Sequence, residues 1–308
     1  MNKGFTWMKF FVVLVPVWLL VSGGIGLWAH FHFQKKEQQE QKHAYRRSIN
    51  EVSLLDDFVK ITDDIGGRNL AQMNGADSLK RMSSMIEGSL GISNMGYEVK
   101  KVPGLEIDGV SLPIFTVDVL RRETKQEIWL VVPYDSPADV PRGAASASAL
   151  SVSFAVAQAL VGQPIENNVR FLFVPGGYAS EDLRIDLLGK CQRLMSLGGR
   201  AKQILVLGSM LHAGPISAVG EDATQPIFVQ QNIPIVVVSA AEYGMQDDVR
   251  FSQLLLERGL PSTEIFAPAD EAMAPQLEDS ITPPAKLIAA QAEQVLLLIR
   301  SLAQAKAL

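Results

Sequence analysis

The sequence predicts an α/β protein with a mostly parallel mixed sheet and helices on both faces, preceded by one transmembrane helix. Three observations support this. After residue 50, apolar runs of strand length alternate with helical stretches, which favours parallel pairing. Several of these runs are almost continuously apolar, as in interior strands covered on both faces. Near the N-terminus stands a charge-free run long enough to cross a bilayer.

Composition narrows the classes of function. The chain has 308 residues, of which 47% are hydrophobic, so it is long enough to bury a large core. Its net charge of −5 lacks the basic excess of a nucleic-acid binder, and we expect no nucleic-acid partner. A single cysteine, Cys191, excludes an internal disulfide framework and a cysteine-based zinc cluster.

The first segment predicts a membrane anchor. After a short tail, residues 1–9, the run Phe10–Ala29 contains twenty consecutive residues without a charge, about the length that spans a bilayer core. Trp7 and Trp28 bracket the run as an aromatic belt would. We expect a transmembrane helix over residues 10–33 that acts as a signal anchor. A cleaved signal peptide is the main alternative, although the run is longer than the apolar region of most such peptides.

Residues 34–50 are rich in Gln, Lys and Glu and show no apolar periodicity, which predicts a solvated stalk. The basic residues of this stalk favour a cytoplasmic body by the positive-inside rule. A short basic tail ahead of the first apolar run is instead typical of a signal anchor with an exported body. We expect a single-pass membrane protein whose body, residues 51–308, is extracytoplasmic.

The body predicts a single α/β domain. Val131-Val132, Phe171-Leu172-Phe173 and Val236-Val237-Val238 are nearly continuous apolar runs and mark interior strands. In chain order, the predicted helices are Glu51–Ile65, Gly75–Gly88, Ala144–Val161, Ser180–Leu197, Val249–Arg258 and Ala285–Ala305. The predicted strands are Tyr97–Val102, Leu112–Leu120, Glu127–Val132, Val169–Val174, Gln203–Leu207, Ile233–Val238 and Thr263–Phe266. Sites in such sheets lie beyond the carboxyl ends of the strands.

Common catalytic motifs are absent from the sequence. It contains no Walker A loop, no G-x-S-x-G and no H-E-x-x-H. Gly23-Gly24-Ile25-Gly26 lies within the apolar run, where glycines favour helix packing over phosphate binding. Any Ser/His/Asp triad in the body would have to use His212, its only histidine.

Several segments match one family in order and spacing. They are Gly67-Arg68-Asn69, Asn74–Lys100 (ending M-G-Y-E-V-K), Ile128–Leu160 (with P-Y-D-S), Val169–Gly177 (V-R-F-L-F-V-P-G-G), Gly259-Leu260-Pro261 and Glu278–Ile288. Over roughly residues 60–305 the chain resembles the M28 family of zinc aminopeptidases. The resemblance implies that family's α/β fold and a metal site at the strand ends.

The resemblance also places the family's functional residues on this sequence. The first histidine ligand falls on Pro133, whereas the Tyr-Asp-Ser that follows it is kept. The bridging aspartate falls on Ser146. The two glutamates, catalytic base and ligand, fall on Gly177 and Tyr178.

The remaining positions continue this pattern. The next aspartate falls on Gly208 or Ser209, and the last histidine falls on about Pro275. Asp135 matches the aspartate that orients the histidine ligand in the family. Neither proline nor glycine offers a side-chain donor, and a neutral hydroxyl is a poor zinc ligand. We therefore expect no metal and no other cofactor.

The expected function is that of a pseudoenzyme. We expect a membrane-anchored, catalytically inactive protein that acts as a binding or scaffold module, with a peptide or protein partner in the former cleft and Tyr178 partly filling it. One alternative is an active hydrolase that uses relocated residues, namely Asp135, Glu181, Asp182 and His212. Another is a structural subunit of an envelope complex that contacts its partners through the membrane helix.

Overall fold

The chain divides into two compact units, Met1–Arg46 and Arg47–Leu308. The structure is a computed structural model. It describes residues 7, 12, 14–18, 21–28, 30–32, 48–72, 74–107, 109–120, 124, 126–138, 141–196, 201–212, 214–220, 235–237, 251–267 and 285–304.

The first unit contains helix α1, Leu14–His32. It has 19 residues and a mean hydropathy of 1.6, so it is long and apolar enough to cross a membrane. A signal sequence near an N-terminus has the same length and composition.

The second unit is a mixed α/β body. Its α-helices are α2 (Glu51–Val59), α3 (Gly75–Leu90), α4 (Ala144–Leu160), α5 (Glu181–Ser196), α6 (Phe251–Glu257) and α7 (Ala285–Gln304). Its strands are β1 (Val99–Ile107), β2 (Val110–Asp118), β3 (Gln126–Pro133), β4 (Asn168–Val174), β5 (Ala201–Leu207), β6 (Ser217–Gly220), β7 (Val236–Val237) and β8 (Ser262–Phe266).

Within the described residues, these strands form one sheet in the order β1-β2-β4-β3-β5-β8-β6-β7. The centre is parallel, with β3 between β4 and β5 and with β8 beside β5. Strands β1, β2 and β4 pair antiparallel in turn, as do β6 and β8. The mixed sheet with a parallel centre and helices on both faces confirms the predicted fold class.

The core lies around β3 and α4. Strand β3 is buried along nearly its whole length, and most of α4 is buried as well, because small residues such as Ala147 and Ser151 allow the helix to approach its neighbours closely. Helix α4 contacts both α2 and α7, whereas α5 contacts β1 and α6. Helix α4 also lies against β3.

The boundaries differ from prediction in several places. The predicted helix Glu51–Ile65 ends in a π-helical turn, Lys60–Ile65. Strand β1 runs on to Ile107 through an irregularity between Val102 and Leu105, where Pro103 and Gly104 interrupt the strand pattern. Strand β6 was not predicted, because four residues ending in glycine give too short a signal. Of the predicted strand Ile233–Val238, the described part is paired only at Val236–Val237.

Candidate functional site

The carboxyl ends of β3, β4 and β5 lie at one edge of the sheet. Pro133, the last residue of β3, is in register with Val174, the last residue of β4. Val131 is in register with Val206 near the end of β5. The loops that follow these strands therefore meet at this edge, where ligands bind in α/β sheets.

Two of the predicted site positions, Pro133 and Gly177, pack directly against each other. Pro133 is buried, and a Cβ placed on Gly177 would lie 2.6 Å from its Cβ and 2.8 Å from its Cγ. No real side chain fits at that distance. Glycine at position 177 and proline at position 133 therefore fill the space between β3 and the loop after β4.

Asp135 joins the same two segments by hydrogen bonds. Its Oδ1 accepts from the backbone N–H of Gly177 at 2.8 Å, and its Oδ2 accepts from that of Tyr178 at 2.7 Å. The carboxylate is fully buried, and burial raises its pKa to about 6 although these N–H groups act in the opposite direction. Both oxygens are thus engaged with the loop that carries Tyr178.

Arg68 ties together the other side of this edge. A guanidinium has five N–H donors, and here all of them are satisfied by neutral oxygens in a fully buried setting. The bonds run from Nε to Tyr134 O (3.0 Å), from Nη1 to Ile61 O (3.2 Å) and Gly66 O (2.8 Å), and from Nη2 to Gly143 O (3.1 Å) and Ser146 Oγ (2.7 Å). Its backbone N–H also donates to Ser136 Oγ at 2.9 Å.

Arg68 and Asp135 carry opposite charges within this buried region. Burial lowers the pKa of Arg68 to about 10, and the negative charge of Asp135 acts to raise it again. The guanidinium therefore stays protonated at neutral pH. Asp135 holds the backbone N–H of Tyr178 at this same edge.

A second serine near the start of α4, Ser148, links this helix to the segment after β5. Ser148 Oγ accepts from the backbone N–H of Met210 at 2.8 Å, two residues past Gly208. Gly208 itself donates to Ile265 O at 2.8 Å, at the end of β8. The backbone at positions 208–210 is therefore held by α4 and β8.

The predicted site residues differ in how closely they are joined. Asp135 bonds directly to the backbone of Gly177 and Tyr178, and Gly177 packs against Pro133. Ser146 joins this edge through Arg68. Gly208 and Ser209 follow β5, the strand that pairs with β3. Their backbones hydrogen-bond to residues at the end of β8. Pro275 lies outside the described residues.

Arg68 is the residue whose importance sequence reasoning missed. It stood in the sequence only as part of the Gly67-Arg68-Asn69 motif, with no role attached. The acceptors of its side chain span positions 61 to 146 and are mostly backbone carbonyls, so no pattern of side chains could reveal them. The one sequence signal for Arg68 is its place in Gly67-Arg68-Asn69, a segment that resembles a motif of the M28 family.

The residues proposed for a relocated active site are placed differently. Glu181 and Asp182 are exposed on the first turn of α5, where acidic side chains complement the helix dipole. His212 is half-buried, and burial lowers its pKa; its Nδ1 is buried and has no hydrogen-bond partner among the residues that the structure describes. Both carboxylate oxygens of Asp135 are already bound to backbone.

The residues at this edge do not fit a zinc centre. Among the residues that the structure describes, no group of three or more His, Cys, Asp or Glu side chains could hold a metal ion. Ser146 Oγ is occupied, since it accepts from Arg68 and donates to Gly143 O at 3.2 Å. Pro133 and Gly177 have no donor atom to offer.

No protein-family model matches the sequence, and no curated protein matches it. Solved structures do match the fold. A Legionella pneumophila structure, the LapA aminopeptidase, shares 11% identity at a TM-score of 0.61, with 87% of this chain and 76% of that one covered.

Two further solved structures are matched over almost their whole length. A Zn-dependent exopeptidase from Parabacteroides distasonis shares 13% identity at a TM-score of 0.57, covering 82% of this chain and 98% of that one. A glutaminyl cyclase from Porphyromonas gingivalis shares 15% identity at a TM-score of 0.57, covering 82% and 98%. At such identities the likeness shows the fold, which is that of the aminopeptidase-like α/β proteins.

Proposed function

We propose that this chain is a membrane-anchored, non-catalytic binding module built on an aminopeptidase-like fold. One observation carries the proposal. The positions that the M28 resemblance assigns to a zinc ligand and to the catalytic base, 133 and 177, are a proline and a glycine packed against each other. A carboxylate at position 177 would have to displace Pro133.

The positions that the resemblance assigns to the site also offer no available base for hydrolysis. A general base needs a lone pair that faces the attacking water. Asp135 is the carboxylate among these positions, but it is fully buried and its oxygens accept from Gly177 and Tyr178. All five side-chain N–H groups of Arg68 donate to neutral oxygens inside the protein.

A binding role uses what remains exposed. Tyr178 keeps 38% of its surface accessible although its backbone N–H is held by Asp135. A tyrosine on a fixed backbone offers a large apolar face and a polar tip at little entropic cost, as in many recognition surfaces. A peptide or a protein segment at the carboxyl edge is the partner that this arrangement favours, with α1 as the membrane anchor.

Two assays on the full-length protein in mild detergent test the proposal. The first offers aminoacyl reporter substrates with and without added Zn²⁺, and we expect no hydrolysis in either case. The second measures binding to an array of short synthetic peptides for the wild type and for Tyr178→Ala. Ile92→Ala serves as the control, because Ile92 is exposed but follows α3, away from the strand ends.

We expect peptide binding that Tyr178→Ala weakens at least tenfold, the usual effect of losing a central aromatic contact, and that Ile92→Ala leaves unchanged. Hydrolysis by the wild type would contradict the non-catalytic role. Equal binding by wild type and Tyr178→Ala would contradict the placement of the binding surface.

A further inference from the structure

Four chain segments meet at the carboxyl edge, and buried charges hold all of them. Arg68 bonds to the carbonyls of Ile61 and Gly66, to the end of β3 at Tyr134, and to the start of α4. Asp135 then joins the end of β3 to the loop after β4. One cation and one anion thus connect the π-helical turn, β3, α4 and the loop that carries Tyr178.

The backbone at the start of α4 is shaped to meet Arg68. Gly143 has φ 62°, and a Cβ there would lie 2.7 Å from Ser136 Cβ and 3.1 Å from Arg68 Nη2. Arg142 just before it has φ 52°, a left-handed conformation that is uncommon and costly for a residue with a side chain. Such a conformation persists only where surrounding contacts fix it, and the bond from Arg68 to Gly143 O is one such contact.

Arg68 and Asp135 both carry a charge in the protein interior. A buried unpaired ion is very costly. Neither ion has a close salt-bridge partner among the described residues, but each is surrounded by hydrogen-bonding groups, and the negative charge of Asp135 offsets part of the cost of burying Arg68. Removing Asp135 would therefore take away part of what compensates the buried Arg68 cation.

We propose that Arg68 and Asp135 act as internal hydrogen-bonding cross-links that together organise this edge without a metal ion and fix the loop bearing Tyr178. In zinc enzymes the ion itself draws ligands from separate segments together. Here a guanidinium and a carboxylate join the segments, and positions 133 and 177 are closed by direct packing. The inference holds whether or not a partner binds, so a failed peptide-binding assay would leave it intact.

Thermal unfolding of the full-length protein gives the first test. The wild-type midpoint should be the same with EDTA, with added Zn²⁺ and with neither. Arg68→Met should lower the midpoint by roughly 10 °C, since it leaves the five oxygens that Arg68 binds without their donor. Arg68→Lys should recover less than half of that loss, because an ammonium has three donors in place of five. Arg193→Met, at an exposed position of α5, is the matched control and should change little.

Amide hydrogen exchange gives the second test and does not need an Arg68 variant to fold. In Asp135→Asn the amide side chain offers only one acceptor oxygen to two N–H groups. We expect protection at Gly177 and Tyr178 to fall at least tenfold, while protection of the Gly208 amide, which bonds to Ile265 O, stays unchanged. A general loss of stability would lower all three.

Three results would overturn the proposal. They are a wild-type midpoint that falls with EDTA, an Arg68→Met midpoint equal to that of Arg193→Met, and unchanged exchange at Gly177 and Tyr178 in Asp135→Asn.

Discussion

Because Gly177 has no side chain, the loop after β4 can pack against Pro133 at the end of β3. A methyl group there would lie within 3 Å of two carbons of Pro133, in a region where Asp135 also anchors the backbone. Interiors are too well packed to absorb such a contact without strain. The side chains at positions 133 and 177 therefore determine which groups this edge of the sheet can accommodate.

The first prediction concerns this contact. Gly177→Ala should lower the free energy of unfolding by about 1–3 kcal/mol, the usual cost of overpacking, and Pro133→Gly should recover part of it in the double variant. Urea unfolding of the four proteins gives the coupling energy. Gly189→Ala is the control, because a Cβ at that helical glycine meets nothing within 4 Å and should stabilise by up to about 1 kcal/mol. Additive effects at positions 133 and 177 would contradict the contact.

Asp57 on α2 gives a pH-dependent prediction. Burial raises its pKa from 3.8 to about 6, with Lys60 acting in the opposite direction. The folded protein therefore binds this proton more tightly than the unfolded chain, and the resulting stability is lost as pH rises through about 6. Asp57→Asn cannot ionise. It should be more stable than wild type by about 1–2 kcal/mol at pH 7.5, a figure reduced for partial solvent screening.

Urea unfolding between pH 4 and pH 8 checks this prediction. The advantage of Asp57→Asn over wild type should shrink toward zero as the pH approaches 4, where both side chains are uncharged. An advantage of the same size at every pH would show that ionisation of Asp57 is not its source.

At the scale of elements, the sequence predicts features that depend on local patterns and not those that depend on contacts between distant positions. Strands β3, β4 and β5 were predictable because continuous apolar runs such as Phe171-Leu172-Phe173 mark buried strands. The site network was not, because it depends on backbone carbonyls brought to Arg68 from distant positions. The resemblance supplied candidate positions for the site, and the structure shows which of the described ones contact each other.

Helix α2 offers a test of one local signal. Asn50 caps it, since its side chain accepts from the N–H groups of Val52 at 3.1 Å and Ser53 at 3.3 Å. Asn50→Ala should cost about 1 kcal/mol, and Asn50→Asp or Asn50→Ser should cost far less. Chemical denaturation measures the difference. Equal losses for all three variants would show that the cap contributes nothing and that another contact of position 50 matters.

At the scale of the whole molecule, the chain combines an apolar helix with an aminopeptidase-like body. Helix α1 has the length and hydropathy of a membrane span. We predict that the full-length protein stays in the membrane fraction through high-salt and alkaline washes, because such a helix inserts far more strongly than a basic patch binds. Removing residues 1–33 should release the protein into the soluble fraction. Release of the full-length chain by alkali, or a mature N-terminus after this helix, would contradict the anchor.

If the carboxyl edge is closed and organised without metal, the protein should bind no zinc there. Elemental analysis of the full-length protein, purified without chelators, measures the zinc content per chain. We expect far less than one equivalent, both as purified and after incubation with Zn²⁺ and removal of the excess. Close to one equivalent per chain, lost on treatment with EDTA together with hydrolysis of aminoacyl substrates, would contradict it.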